Sequence, residues 1–310
     1  MKQRAIAIAG FWVVVLFTLA LRAPNFFEPN NLRDVALVNA PALIVAVGMT
    51  LIILSGEIDV SVGSQFAVAT VVAGLAAQKG LPLAAIILVT TLAGAMLGAL
   101  NGLIVVGLRV PSIVATLAAM AFWREFLRWT TGGAWIEGLP SNFQWMGMSQ
   151  TAGELAIFGA TIAIAAFFAW AMRHLRAGRA VYAIGSAKEA ARLAGIPVNL
   201  ASFCIFVMMG ALTGLAAFLN AMRFSEVQPN AGAGLELKAI SAVVIGGAAI
   251  SGGRGTLWGT VLGAGVLAVI APALTFLGIN AFWEKAIQGG IILGAIVLER
   301  AATKRRAALV

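Results

Sequence analysis

The sequence is poor in the residues most protein chemistry relies on. One cysteine, Cys204, and one histidine, His174, occur in 310 residues. A lone cysteine inside an apolar run excludes an intrachain disulfide and a thiolate metal cluster. His174 sits beside Arg173 and Arg176, and with no second histidine or serine-centred elbow, enzyme catalysis has little to stand on. No glycine-rich loop ends in Lys followed by Ser or Thr, so the chain has no phosphate cradle of that kind and does not hydrolyse ATP unaided. Charge is scarce too: 11% of residues are charged, against about 25% in an ordinary soluble domain.

Apolar residues fill the space, at 61% of the chain with a mean hydropathy of +0.98. Such a composition specifies a polytopic, all-α membrane protein. Taking about 20 apolar residues per crossing gives about ten spans, near 5–21, 35–54, 65–78, 82–106, 111–131, 153–172, 200–221, 239–251, 256–277 and 284–298. Together they form a single membrane domain over residues 1–310. The first has only Met1 to Arg4 before it and no small-residue cleavage pattern after it, which reads as a retained helix rather than a signal peptide. A stretch of about 14 residues rises only about 21 Å, so the shorter spans must be tilted, broken or shielded.

The formal charge is +9, but the basic residues fall at span ends rather than forming a face for nucleic acid. An even number of spans puts both termini on one side. Basic residues on that side outnumber those opposite by about two to one, which makes the termini of this multi-pass protein cytoplasmic. Residues 22–34, 132–152 and 222–238 are then loops on the outer side, and 173–198 is a cytoplasmic loop. Trp123, Trp129, Trp135 and Trp145 gather at the outer end of the fifth span, where indoles favour the headgroup level. Glycines recur every four residues at Gly94, Gly98 and Gly102 and at Gly255, Gly259 and Gly263, with shorter versions at Gly210 and Gly214 and at Gly290 and Gly294. Such stripes let helices approach closely in lipid and describe a compact bundle.

The long basic loop encodes one short helix. Ser186 and Glu189 have the spacing of a capping box, Gly195 suits the left-handed position past a helix end, and Pro197 forbids continuation. Roughly two turns result, from about Ala187 to Ala194, too short to stand alone. Lys188 and Arg192 lie one turn apart, and Ala190, Ala191, Leu193 and Ala194 supply small apolar contacts, so the helix reads either as a docking element or as a tight solvated connector.

Polar groups near the membrane are few. Glu57 and Asp59, with Ser61, join the second and third spans. An intramembrane carboxylate is expensive, so either Asp59 or Ser61 caps the third span or these groups line the path or latch an inner gate. Asn101 and Thr116 lie deep in the fourth and fifth spans, placed to bond a neighbouring helix or a hydroxyl group of a solute. Arg124, Glu125 and Arg128 fall within one turn of each other and would neutralise one another. Glu137, Arg223 and Glu226 are rim charges suited to receiving a soluble partner.

Five stretches carry a resemblance: GEIDVSVGS from Gly56, VPSIVATLA from Val110, the run from Gly178 to Gly195 that ends in AIGSAKEAARLAG, QPNAGAG from Gln228 and AVVIGGAAISGGRG from Ala242. Together the chain resembles the permease subunits of bacterial ribose-type carbohydrate importers of the ATP-binding-cassette (ABC) class. The resemblance implies that Glu189, Ala190, Ala191 and Gly195, with Ser186, Lys188 and Arg192 around them, form a coupling helix seated on a cytoplasmic ATPase subunit. It implies no cofactor in this chain, ATP and Mg²⁺ being held by that ATPase, and a second permease chain, identical or homologous, as partner. A periplasmic substrate-binding protein would deliver a monosaccharide: a pentose, a deoxyhexose or a related furanosyl compound. Permeases for nucleosides or branched-chain amino acids are more distant resemblances, and an ion-coupled secondary transporter working through Asp59 or Glu57 is the reading from another class. Two departures stand out. Phe203 to Met209 does not supply the Ile-x-Leu-Pro that follows the coupling helix of many importers, and Glu57 stands where a glycine is more familiar.

Overall fold

The structure, a computed structural model, describes residues 16–280 and 282–307. Residues 5–15 of the expected first span and the extreme termini lie outside the described residues; 16–22 are helical (α1). The regular structure of the described residues is helical, apart from one isolated antiparallel bridge between Ile136 and Val227. After α1 come α2 (Pro29–Leu54), α3 (Val62–Gln78), α4 (Leu83–Gly102), α5 (Ser112–Thr131), α6 (Gln150–His174), α7 (Arg176–Ser186), α8 (Lys188–Leu193), α9 (Val198–Ala221), α10 (Leu235–Ile245), α11 (Leu257–Phe276) and α12 (Trp283–Ala307). Among the described residues, five helices are long and apolar enough to cross a membrane: α2, α4 with its π-helical extension to Gly107, α6, α9 and α11.

Local chemistry sets most boundaries. Pro29 opens α2 at a position where its missing N–H has no partner to lose. Ser149 and Thr256 cap α6 and α11, their hydroxyls accepting from Ala152 N at 3.3 Å and Gly259 N at 3.0 Å. Gly132, in the left-handed region, ends α5.

Helices α2, α3, α9 and α10 form the centre, and α4 makes its largest contact with α9. That crossing is where the glycine stripes meet. A Cβ on Gly94 would overlap the Gly210 carbonyl and stand 2.8 Å from Gly214 Cα. A second crossing sets Gly259 and Gly263 of α11 against Gly246 and Ala242 at the end of α10. With no hydrophobic force between helices in lipid, such close backbone contact supplies the dispersion that holds them.

Two expectations are corrected. The loop at 173–198 holds two helices, because Arg176–Ser186 is amphipathic and buries Val181 and Ile184 while its arginines face out. The span expected at 239–251 is the 11-residue α10 over Leu235–Ile245, ended by Gly246 and Gly247 and begun earlier than hydropathy suggested, so that Glu236 and Lys238 fall inside it.

Candidate functional site

Helix α8 rests on the bundle by one face. Ala191 is buried with Ile184 of α7 and Val198 of α9. Its end is a Schellman motif: Ile196 N donates to Ala191 O and Gly195 N to Arg192 O, both at 3.0 Å, with Gly195 at φ +82°. The expected capping box does not form. Ser186 is the last residue of α7, the N-cap is Ala187 without a side-chain bond, and Glu189 pairs with Arg192 at 3.1 Å. Leu193, 89% exposed, stands on the outward side together with Glu189 and Ala190.

Lys188 ties α8 to the loop beneath it. Its Nζ lies 2.5 Å from Glu57 Oε1, with the Lys188 side chain half-exposed and that of Glu57 nearly buried. Sequence reasoning placed both residues but not their pairing, since 131 positions separate them. Around this bond three backbones touch without side chains between them. Gly253 N donates to Leu54 O at 2.9 Å, a Cβ on Gly185 would overlap Leu54 O, and one on Gly252 would come within 2.8 Å of Gly56 Cα. Tyr182 of α7 clamps the same loop, its hydroxyl donating to Gly255 O at 3.0 Å. Three of the five stretches that carried the resemblance thus converge at one end of the bundle.

Asp59 is fully buried and surrounded by donors. One carboxylate oxygen accepts from Ser61 N at 2.9 Å and Ser61 Oγ at 2.6 Å, the other from Gln65 Nε2 at 3.1 Å and Asn101 Nδ2 at 3.3 Å. The Ser61 hydroxyl in turn accepts from Gln65 at 2.8 Å and Asn101 at 2.7 Å. Ser61 is the N-cap residue of α3 but makes no side-chain cap bond; Asp59 instead turns the chain into the helix. On the other side of the loop, Val60 N donates to Thr116 Oγ1 at 3.1 Å and Ile58 N to Ser112 Oγ at 3.2 Å. Asp59, Ser61, Asn101 and Thr116 therefore do come together, as a seal around buried backbone. Gln65 and Ser112 were missed, though each lies one helical turn from a named residue. Among the described residues, no group of His, Cys, Asp and Glu is placed to hold a metal.

At the opposite end, Glu137 is exposed and its carbonyl accepts from Gln78 Nε2 at 2.6 Å; the neighbouring Ile136 pairs with Val227, beside Glu226. The Arg223 guanidinium lies 5.2 Å over the Phe224 ring. Burial holds it below the ordinary arginine value, with Asp34 and Glu154 opposing. Glu154 itself is buried and ion-paired to Arg33, joining α2 to α6. Arg124 does not join the expected neutralisation: Arg128 pairs with Glu125 at 2.9 Å, while Arg124 donates to Ala231 O at 3.2 Å and Asn230 Oδ1 at 3.3 Å.

A family profile described as branched-chain amino acid transport system / permease component matches residues 31–296. The chain belongs to this permease family. Among the permease's relatives, the autoinducer 2 import system permease protein LsrC of Enterobacter sp. (strain 638) is 37% identical over 300 residues, covering 96% of this chain and 87% of its own. The ribose import permease protein RbsC of Escherichia coli (strain K12) is 35% identical over 309 residues, covering 96% and 94%. No solved structure matches. The permease stands with the ribose-type carbohydrate ABC importers, as its five stretches suggested, and it is a transport subunit rather than an enzyme.

Proposed function

We propose that the permease is the membrane-spanning subunit of an ATP-driven importer that carries a monosaccharide, or a related furanosyl compound, into the cytoplasm of a bacterium. In this reading α8 is the coupling helix, both termini are cytoplasmic, and about ten spans cross the inner membrane. A separate ATPase subunit binds ATP and Mg²⁺ and receives α8, a second permease chain completes the pathway, and a periplasmic binding protein docks on the rim around Glu137, Arg223 and Glu226. The observation that carries the reading is the two-sidedness of α8. One face is anchored through Ala191 and the Lys188–Glu57 bond, and the other offers Glu189, Ala190 and an 89% exposed Leu193 to a partner.

Closure of the ATPases on ATP would move α8, and with it the loop at 55–61, switching the permease between inward-open and outward-open states. Gentle purification of the tagged chain from its host, with identification of what accompanies it and an assay of ATP hydrolysis, tests this. An ATPase subunit should be recovered and should be lost on Gly195→Arg; Glu189→Ala should uncouple hydrolysis from uptake while the chain stays in the membrane. Unchanged coupling in both variants sinks the assignment of α8.

Two other substrates or drives remain to be separated by measurement. The family description names branched-chain amino acids, and competition of uptake by leucine rather than ribose would favour that substrate. An ion-driven carrier would need Asp59 or Glu57 to exchange its cation with water. The donors around Asp59 and the lysine on Glu57 leave that drive without support, and direct sensitivity of uptake to a protonophore would restore it.

A further inference from the structure

Three non-helical stretches enter the body of the permease. Irregular backbone at membrane depth is tolerated only where protein buries it or where it borders water. The stretch at 55–61 is closed by the side chains of Ser112 and Thr116, and that at 246–256 by glycine contacts and by Ala249 N donating to Arg254 O at 2.8 Å. The third, 228–234, is different. It descends along α3, with Val227 against Gly74 and Gly232 against Gly63. Eleven residues of helix separate those two levels, roughly 16 Å. This descent is why α10 is short, and one side of it opens on a cavity of about 470 Å³.

The lining suits one class of solute. Lys238 of α10 lies 3.6 Å from Glu284 of α12, and Gln288, 3% exposed, donates to the same Glu284 oxygen at 3.0 Å. Asn220 and Gln228 add amides, each donor and acceptor at once, and the Phe66 ring gives an apolar wall. The Lys238–Glu284 charges are already paired and Arg223 and Lys285 are opposed by the one carboxylate Glu226, so the lining carries a net charge of +1 spread along its rim, and its amides offer paired donors and acceptors rather than a cluster of one sign. Its volume falls within the range of small-molecule sites, and its polar groups converge from three helices, α9, α10 and α12, and the 228–234 stretch.

The geometry points to this cavity as the place where the permease holds its substrate: a single neutral, polyhydroxylated ring of monosaccharide size, contacted by Asn220, Gln228, Lys238, Glu284 and Gln288. The sealed cluster around Asp59 is then the frame of the gate and not the path. This assignment rests on the importer reading above and narrows it.

The test uses the complete importer in cells, with labelled ribose and rhamnose as probes, and follows maximal uptake rates together with the amount of permease in the membrane and its recovery with the ATPase. Gln228→Ala should shift the ratio of ribose to rhamnose rates by at least about threefold, the effect of one hydrogen bond made to one sugar and not the other. Ala42→Phe, which places a ring in the cavity wall, should lower uptake of both by about tenfold or more while permease level and ATPase recovery persist. Saturable uptake of either sugar by the unaltered importer, with rate and ratio unchanged in both variants, would overturn the cavity and leave the importer standing. Uptake of leucine and of neither sugar would overturn both.

Discussion

The bond between Lys188 and Glu57 makes an asymmetric prediction that a simple surface ion pair would not. The two partners differ in exposure, 50% for the Lys188 side chain against 10% for Glu57, at a separation of 2.5 Å. Replacing Glu57 by Gln keeps the shape and leaves a lysine that water can reach, so the loss is that of one charge-assisted bond screened on one side, about 1 kcal/mol. Replacing Lys188 by Met leaves a nearly buried carboxylate without its paired cation, Arg109 and Arg192 only lining the same cavity, and the loss of that compensation costs about 2–3 kcal/mol. If the bond couples α8 to the gate loop, these energies reduce the fraction of α8 motion passed on: roughly fivefold for Glu57→Gln and roughly 30-fold or more for Lys188→Met. The assay is the number of sugar molecules imported per ATP hydrolysed by the reconstituted importer, with thermal stability measured alongside. A double-mutant cycle supplies the control, because the double variant should be less impaired than the summed singles by at least about 1 kcal/mol. Equal effects of the two single variants, or additivity in the cycle, would refute the reasoning.

The glycine crossings predict a contrast within one residue type. Gly94→Ala should destabilise the purified permease by about 1–3 kcal/mol, since its Cβ has no space against Gly210, whereas Gly159→Ala, which meets nothing within 4 Å on α6, should stabilise it by about 0.5–1 kcal/mol; thermal unfolding in detergent reads both. Asp59→Asn should lower stability by roughly 2–3 kcal/mol, because an amide brings N–H donors to a site that already holds four, without creating a protonophore-sensitive phenotype. Thr116→Val leaves Val60 N without its acceptor and should destabilise by about 1–3 kcal/mol, with hydrogen exchange rising first in the 55–61 loop.

Much of the fold was legible because lipid imposes long apolar helices. The spans expected at 111–131, 200–221 and 256–277 agree with α5, α9 and α11 to within about two residues, the usual uncertainty of helix ends. The short helix α8 and its end were legible from Gly195 and Pro197, whose backbone restrictions are local. What sequence could not carry was pairing across distance. Lys188 finds Glu57, Gln65 and Asn101 find Asp59, and Arg124 leaves its own helix turn for Ala231, and no local rule names those partners. Amphipathic α7 was hidden for the opposite reason: its arginines made it read as a loop, although Val181 and Ile184 mark its buried side. Hydropathy also misplaced α10, because Glu236 and Lys238 sit inside the protein rather than at a surface.

The contact of Gly56, Gly185, Gly252 and Gly253 has a mechanical consequence. Where side chains separate two elements, a small displacement dissipates in rotamer changes and sliding methyl groups. Here main chain lies on main chain, held by the bond from Gly253 N to Leu54 O, so there is no compliant layer. A displacement at the end of α7 would be passed to the end of α2 and the approach to α11 with little loss in side-chain adjustment. In the proposed importer the joint would therefore act as a stiff link, passing the movement of one element to the next.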